Sequence, residues 1–223
     1  MVIAAILWDM DGVLIDSEPL KYEAWRRAIE YNGGKKFEKA DYSKLIGFGS
    51  NEIVSILHRQ GLIEKDVAEL VLRDRNQIYD AISMQDVKPI AASVNLLKKI
   101  HSKRVNALPW QAAVSAESSK NIEIHLDKFN LHPYLLFAIS TEGMKSKPFP
   151  DGYLAALKRL KIDAKKAIAI EDTPAGVEAA IRAGLKVIGL SSQYVDEARL
   201  EKAGANLVVP SLSDLREDFY KQF

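Results

Sequence analysis

Short apolar runs alternate along most of the chain with segments whose apolar residues recur every three or four positions. The first run, Val2–Trp8, is uninterrupted and ends at polar residues, which is typical of a strand buried on both faces of a parallel sheet. Similar runs occupy residues 112–115, 135–140, 167–172, 186–190 and 206–209. Because helical segments separate the runs, the pattern predicts an α/β fold with a doubly wound, Rossmann-like parallel sheet.

One stretch near the start of the chain interrupts this alternation, because it contains helical patterns without a strand-like run between them. Its first segment begins with a capping serine and a proline, Ser17–Pro19, and stops at Gly33, and these are start and stop signals of a helix. We therefore expect a helical-bundle cap over residues 17–84, inserted into a sheet-forming core of residues 1–16 and 85–223.

Composition and charge narrow the classes of function. The 223 residues are 48% hydrophobic and 27% charged, and 31 basic against 30 acidic residues give a formal net charge of +1. This balance, without a basic block, favours neither nucleic acid nor a membrane surface as a partner. The absence of cysteine excludes disulfides, thiolate metal sites and cysteine nucleophiles. No run resembles a membrane span or a signal peptide, so we expect a cytoplasmic protein, and no feature requires it to be more than a monomer.

The first apolar run leads into two carboxylates, those of Asp9 and Asp11, followed by Gly12. Residues two apart on an extended segment point the same way, and ligands of an open parallel sheet bind at the carboxyl ends of its strands. We therefore expect both side chains to face one pocket. Like charges so close together repel unless a cation or a proton lies between them. The pair predicts either a metal ion or a carboxylate that titrates.

A second acidic pair, Glu171 and Asp172, ends a later strand-like run just before a helix start at Pro174. Oxygen ligands without histidine or cysteine suit a hard cation, which favours Mg²⁺ over zinc. Taken alone, however, two acids at a helix start are more often capping residues. The metal interpretation therefore depends on the first acidic pair as well.

Two weaker motifs suggest an anion site. Ser115 ends a strand-like run shortly before a helix start near Ser118, where a hydroxyl and free backbone N–H groups bind anions. Lys147 precedes two prolines that stiffen its loop, which makes its ammonium a candidate fixed cation for a phosphate. Taken singly, a strand-ending serine before an ordinary helix cap and a solvated lysine are the commoner explanations.

Taken in this order, the four motifs resemble those of the haloacid dehalogenase superfamily, and within it the phosphatases and mutases with a helical cap. The matching segments are WDMDGVLIDSEP, AVSAES, KSKPFPD and IEDTPAGVEAAIRAGL, so the resemblance covers most of the chain. It implies a Mg²⁺-dependent phosphatase that hydrolyses a small phosphorylated metabolite, such as a sugar phosphate, through an aspartyl phosphate.

The resemblance also implies roles for the acidic residues. Asp9 is the nucleophile, and Asp11 protonates the leaving oxygen and later activates the attacking water. Mg²⁺ is held by the Asp9 carboxylate, the Asp11 backbone carbonyl and Asp172. Glu171 is an adjacent or outer carboxylate of the same metal site.

The remaining implied contacts are to the phosphate and to the rest of the substrate. Ser115, the backbone N–H of Ala116 and Lys147 bind the phosphate group. The cap closes over the substrate and excludes water. Lys21 and Trp25, on the first helix of the cap, are candidate substrate contacts.

Glu117 departs from the family pattern, in which small polar residues are common near the phosphate loop. Directed inward, its carboxylate would oppose phosphate binding or select a cationic leaving group. Directed outward, it is an ordinary acid at a helix start, which is the commoner case.

Other functions remain open at this stage. A beta-phosphoglucomutase-type phosphotransferase is one, although Lys21 stands where such mutases commonly have a cap histidine and the segment IGFGSNE lacks their arginine. A phosphonate hydrolase would require a cap lysine that forms a Schiff base. A non-enzymatic Mg²⁺-binding phosphoacceptor module is the third, but it would need neither Asp11 nor a large cap.

Overall fold

The structure, a computed structural model, describes residues 2–103 and 109–223. Its strands are β1 (Ala5–Asp9), β2 (Ile15–Asp16), β3 (Lys88–Pro89), β4 (Trp110–Ser115), β5 (Ala138–Ser140), β6 (Ala167–Glu171), β7 (Lys186–Leu190) and β8 (Leu207–Val209). Its helices are α1 (Glu18–Tyr31), α2 (Lys39–Ser43), α3 (Ser50–Arg59), α4 (Ala68–Asp86), α5 (Ala91–Lys103), α6 (Ser119–Lys128), α7 (Asp151–Leu160), α8 (Pro174–Arg182) and α9 (Glu197–Lys202). No helix in these two ranges combines the length and the apolar character needed to cross a bilayer.

The chain divides into two compact units. The first consists of Met1–Ile15 and Pro89–Phe223, and the second of Asp16–Lys88. The predicted cap, residues 17–84, falls within the second unit, and residues 1 and 104–108 of the predicted core lie outside the described residues. Strands β2 and β3 form a separate two-stranded sheet.

The first unit contains a parallel sheet with the strand order β5-β4-β1-β6-β7-β8. Helices flank it, with α7 packed on β4 and β5, and α8 on β6 and β7. The doubly wound, Rossmann-like α/β core predicted from the alternating pattern is therefore confirmed. The strand order reverses at β1, which lies between β4 and β6, and in such sheets the reversal marks the crevice where ligands bind.

The central strands are apolar because both faces of the sheet are covered. Every residue of β1 and of β6 is buried, which accounts for their uninterrupted apolar sequences. The predicted strand 135–140 is shorter in the structure, where β5 begins only at Ala138. A 3-10 turn at His132–Tyr134 precedes it, and Leu136 already donates its backbone N–H to the carbonyl of Gln111 at 2.7 Å.

The second unit is helical, and its core lies between α1 and α4. Helix α1 buries Trp25 and Ile29 on one face, which is the spacing of an amphipathic helix. At its end, the side-chain amide of Asn32 donates a 2.9 Å hydrogen bond to the buried carboxylate of Asp74 on α4. The short helix α2 was not predicted, since its one turn carries a local capping box rather than an apolar period.

Candidate active site

Strand β1 delivers the first acidic pair to the carboxyl edge of the sheet. Asp9 is its last residue and is 5% exposed, whereas Asp11 is half-buried in the turn that follows. The turn is closed by a hydrogen bond of 2.7 Å from the N–H of Gly12 to the carbonyl of Ile15. Gly12 has φ +78°, and a Cβ atom there would lie 1.9 Å from Oδ2 of Asp172. Only glycine fits this position without displacing the second acidic pair.

Strand β4, the neighbour of β1, ends at the hydroxyl motif. The register pairs Asp9 with Val114, so Ser115 lies just beyond Asp9 along the edge. The buried hydroxyl of Ser115 donates to Oδ2 of Asp11 at 3.2 Å and accepts the backbone N–H of Glu117 at 3.0 Å. Ala116 is exposed between them. This loop therefore presents a hydroxyl and backbone groups beside the first acidic pair.

Lys147 reaches the same edge from the loop before α7. Its Nζ lies 2.5 Å from Oδ1 of Asp9 and 2.6 Å from Oε1 of Glu171. Only 14% of the lysine side chain is exposed, and the two carboxylates are almost fully buried. Because all three groups are removed from water, their charges interact more strongly than those of a surface ion pair.

Strand β6, on the other side of β1, supplies the second acidic pair. Glu171 is its last residue, and Asp172 precedes the N-cap Thr173 of α8. The threonine hydroxyl accepts the N–H of Gly176 at 3.1 Å. Glu171 is fully buried and Asp172 is 2% exposed, so neither is merely a solvated acid at a helix start.

The acidic residues form a cluster suited to a metal ion. Ligand oxygens of Asp9, Glu171 and Asp172 all lie within 4.8 Å of one another, and all three residues are buried. Within the described ranges, Oε2 of Glu171 is buried and has no hydrogen-bond partner. Among the described residues, the ammonium of Lys147 pairs with two of these three buried carboxylates, so the cluster is net negative even when Asp9 carries a proton. An all-oxygen site of this charge fits a hard divalent cation such as Mg²⁺.

The electrostatics of the cluster follow from its burial. The pKa of Asp9 is raised from 3.8 to about 8: burial is the largest cause, the charge of Lys147 opposes the shift, and the charges of Glu171 and Asp11 add to it. Burial alone would lower the pKa of Lys147, but the two carboxylates that it contacts raise it above its ordinary value. Without a cation, the cluster thus favours a proton on Asp9, as expected for crowded carboxylates.

Sequence analysis missed one polar residue of this cluster, Tyr153. It lies in the first turn of α7 and is 1% exposed, and its hydroxyl donates to Oε1 of Glu171 at 2.5 Å. The available signal was a tyrosine shortly after the lysine motif, at the start of an amphipathic helix. Such a tyrosine is usually a packing residue, and its polar contact becomes visible only in the fold.

Glu117, the residue that departs from the family pattern, precedes α6 and is held by contacts from α6 and β5. The side-chain amide of Asn121 donates to Oε2 of Glu117 at 3.1 Å, and the hydroxyl of Ser140 donates to the Glu117 carbonyl at 2.7 Å. The side chain is half-buried. These contacts place its carboxylate at the start of α6, where an acid is favourable.

The two predicted cap residues lie on α1 in the helical unit. The ammonium of Lys21 pairs with Glu18 at 3.1 Å. Trp25 is 1% exposed, and the guanidinium of Arg75 lies 5.4 Å from the centre of its ring. These contacts belong to the interior and surface of the helical unit, and a substrate role for Lys21 and Trp25 stays a prediction.

Comparison with known proteins identifies the family. The family model of haloacid dehalogenase-like hydrolases matches residues 6–190. The chain belongs to this family. The resemblance of the four motifs is thereby confirmed, and the protein is a hydrolase of the haloacid dehalogenase-like type.

Three relatives illustrate the range of the match. A phosphorylated carbohydrates phosphatase of Thermotoga maritima is 30% identical, over 92% of this chain and 93% of that protein. The mitochondrial (DL)-glycerol-3-phosphatase 1 of Arabidopsis thaliana is 28% identical, over 97% of this chain and 72% of that protein. A solved Thermotoga maritima structure, provisionally described as a beta-phosphoglucomutase, is 27% identical with a TM-score of 0.73 and covers 100% of this chain and 98% of its own.

Proposed function

We propose that this protein is a Mg²⁺-dependent phosphatase that hydrolyses small phosphorylated metabolites through an aspartyl phosphate. The observation that carries the proposal is the convergence of all four motifs at one edge of the sheet. Lys147 contacts Asp9 and Glu171, while Ser115 contacts Asp11. A nucleophile, an acid–base group and phosphate-binding groups thus lie side by side, and phosphoryl transfer needs chiefly this positioning and charge.

In the first chemical step, a carboxylate oxygen of Asp9 attacks phosphorus, and the bond from phosphorus to the leaving oxygen breaks. Asp11 donates its proton to that oxygen, so the leaving group departs as a neutral alcohol. Lys147 and the N–H groups of the Ser115 loop stabilise the charge on the phosphoryl oxygens. In the second step, Asp11 accepts a proton from water, which attacks phosphorus and releases phosphate from Asp9.

The metal part of the proposal rests on the donor set. Asp9 and Asp172, with the backbone carbonyl of Asp11, would hold Mg²⁺, and Glu171 lies beside them. When bound, the ion neutralises charge on the nucleophile and on the phosphoryl oxygens. Among the residues that the structure describes, Oε2 of Glu171 is buried without a hydrogen-bond partner, and Gly12 lies close to Asp172; both observations support a site built around a cation.

The substrate class is inferred from the relatives. Two of them are described as phosphatases of phosphorylated carbohydrates and of glycerol-3-phosphate. We therefore infer that the substrate is a phosphomonoester of a sugar or a small polyol, whose alkoxide leaving group requires the proton of Asp11.

A phosphate-release screen tests this function. Purified protein is incubated with sugar phosphates, polyol phosphates and p-nitrophenyl phosphate, with Mg²⁺ or with EDTA. Asp9→Asn is the blank, and Asp127→Asn, which changes an exposed acid on α6, is the matched control. The proposal is supported if phosphate release requires Mg²⁺, is lost in Asp9→Asn and is retained in Asp127→Asn.

Other results of the screen would replace the proposal. Phosphate release by Asp9→Asn at the wild-type rate would exclude Asp9 as the nucleophile. Interconversion of hexose phosphates without release would identify a mutase. A phosphorylated protein that persists for hours, without turnover, would identify a phosphoacceptor module.

A further inference from the structure

Tyr153 makes a polar contact that its packing does not require. It lies on α7, and its ring is enclosed in the interior of the sheet-forming unit with 1% exposure. Its hydroxyl donates to Oε1 of Glu171 at 2.5 Å. A phenylalanine of nearly the same shape would fill the same space, so the hydroxyl is the feature that needs an explanation.

The acceptor of this bond is itself confined. Oε1 of Glu171 also accepts the ammonium of Lys147 at 2.6 Å. A Cβ atom on Gly176 would lie 1.9 Å from Oε2 of Glu171, so the other oxygen lies directly against the first turn of α8. The carboxylate therefore has one orientation, which is set by a tyrosine on one side and a helix backbone on the other.

The fixed carboxylate of Glu171 in turn restricts the position of Lys147. The ammonium that Glu171 holds also lies 2.5 Å from Oδ1 of Asp9, and it is 5.7 Å from the ring centre of Tyr153. A lysine side chain has four rotatable bonds and gains little geometric order from a single partner. Two fixed partners restrict the ammonium to the position beside Asp9.

We propose that Tyr153 is a positioning residue that acts through Glu171 to hold Lys147 beside Asp9. This inference rests on the proposed phosphatase function, because it assigns Lys147 to the phosphoryl group that Asp9 receives. The tyrosine contacts neither the substrate nor the phosphoryl group. Loss of its hydroxyl loosens the carboxylate, and the ammonium then occupies its catalytic position for a smaller part of the time.

The test is a double-mutant cycle between Tyr153→Phe and Glu171→Gln. Tyr134→Phe is the matched control, because Tyr134 precedes β5 at the opposite, amino-terminal edge of the sheet and its ring contacts His101. Turnover of p-nitrophenyl phosphate with Mg²⁺ gives kcat and KM for each variant. Urea unfolding in EDTA gives the stability of the same proteins independently of activity.

We expect Tyr153→Phe to lower kcat by about tenfold while KM changes by less than about threefold, as for one charge-assisted hydrogen bond that matters most in the transition state. In the Glu171→Gln background, Tyr153→Phe should lower kcat by less than about twofold, because the carboxylate through which Tyr153 positions Lys147 is already absent. The unfolding constant in EDTA should rise about tenfold in Tyr153→Phe and stay unchanged in Tyr134→Phe.

Several results would overturn the inference. Equal kcat in Tyr153→Phe and Tyr134→Phe would leave the hydroxyl without a role in turnover. If the reductions in kcat from Tyr153→Phe and Glu171→Gln multiply fully in the double variant, Tyr153 does not act through Glu171. If Tyr153→Phe does not fold, Glu171→Gln tests the same bond from the acceptor, and an unchanged kcat there excludes the inference. An inactive wild type overturns the proposed function and this inference together, whereas an active wild type with a neutral Tyr153→Phe overturns the inference alone.

Discussion

Replacement of Asp9 by asparagine should change activity and stability in opposite directions. The carboxylate is buried beside Glu171 and Asp172, with ligand oxygens of all three within 4.8 Å of one another, and Lys147 is the cation it contacts. An ionised Asp9 is therefore unfavourable in the metal-free protein. An asparagine occupies nearly the same volume without a charge, so the variant should be inactive but more stable at alkaline pH.

The magnitude follows from the pKa of Asp9, which is raised from 3.8 to about 8 by burial and the charges of Glu171 and Asp11, against the opposing charge of Lys147. Because the pKa is higher in the folded than in the unfolded chain, the stability that Asp9 contributes is present below pH 4. It is lost as the pH rises towards 8. The variant does not titrate there, so its stability relative to wild type should increase by at most roughly 1.4 kcal/mol per pH unit.

The assay is urea unfolding of both proteins in EDTA, followed by tryptophan fluorescence at pH 6 and at pH 8. All other titrating groups are common to the two proteins, so their contributions largely cancel in the difference. Between these two pH values, the free energy of unfolding of Asp9→Asn should rise relative to wild type by at most about 3 kcal/mol. Added Mg²⁺ at pH 8 should reduce the difference, because a cation favours the ionised carboxylate.

Two results would refute this reasoning. If the free energy of unfolding of Asp9→Asn relative to wild type stays constant or falls from pH 6 to pH 8, the folded protein does not raise the pKa of Asp9. The same rise in Asp127→Asn, whose carboxylate is exposed on α6, would show that the effect is not specific to the buried cluster.

Three further predictions concern individual contacts. Asp11→Asn should release one rapid equivalent of nitrophenol from p-nitrophenyl phosphate and then stop, and stopped-flow absorbance measures this burst. The reason is that nitrophenolate leaves without a proton, whereas hydrolysis of the aspartyl phosphate on Asp9 needs a base. Gly12→Ala, whose Cβ lies 1.9 Å from Oδ2 of Asp172, should lower Mg²⁺-dependent kcat/KM by at least about a hundredfold. Thr173→Ala removes the N-cap hydroxyl of α8 and should lower the free energy of unfolding by about 1 kcal/mol in urea.

Steady turnover by Asp11→Asn at the wild-type rate would exclude its role as the base. Gly33→Ala shares a positive φ, +73°, but has open space around the new Cβ, so its kcat/KM should stay near wild type. A similar loss in both glycine variants would attribute the effect to backbone strain rather than to Asp172. An unchanged stability of Thr173→Ala would show that water replaces the cap.

The sequence was sufficient for the sheet and for the convergence of the motifs. The apolar run ending at Trp8 predicted a buried strand, and the carboxyl edge of a parallel sheet is where its neighbours, ending at Ser115 and Glu171, also end. Strand position follows from local apolar pattern, and the shared edge follows from parallel topology. Neither inference requires knowledge of side-chain contacts.

Contacts between distant side chains could not be predicted in the same way. Tyr153 and Glu171 are far apart in sequence, and nothing in an amphipathic helix distinguishes a tyrosine that packs from one that also donates a hydrogen bond. The first residue of β5 was also predicted wrongly. The apolar run begins at residue 135, whereas a 3-10 turn precedes the strand and β5 begins only at Ala138. The orientation of Glu117 depended on Asn121, one helical turn away.

The proposed mechanism requires Asp9 to carry the phosphoryl group during turnover. Acid quenching of the Asp11→Asn variant with p-nitrophenyl phosphate and Mg²⁺, followed by proteolysis and mass spectrometry, measures this directly. We expect one phosphoryl group on the peptide that contains Asp9, and none when Asp9 is also replaced by asparagine. A phosphoryl group on another residue, or complete turnover by wild type with no trapped adduct in either protein, would contradict it.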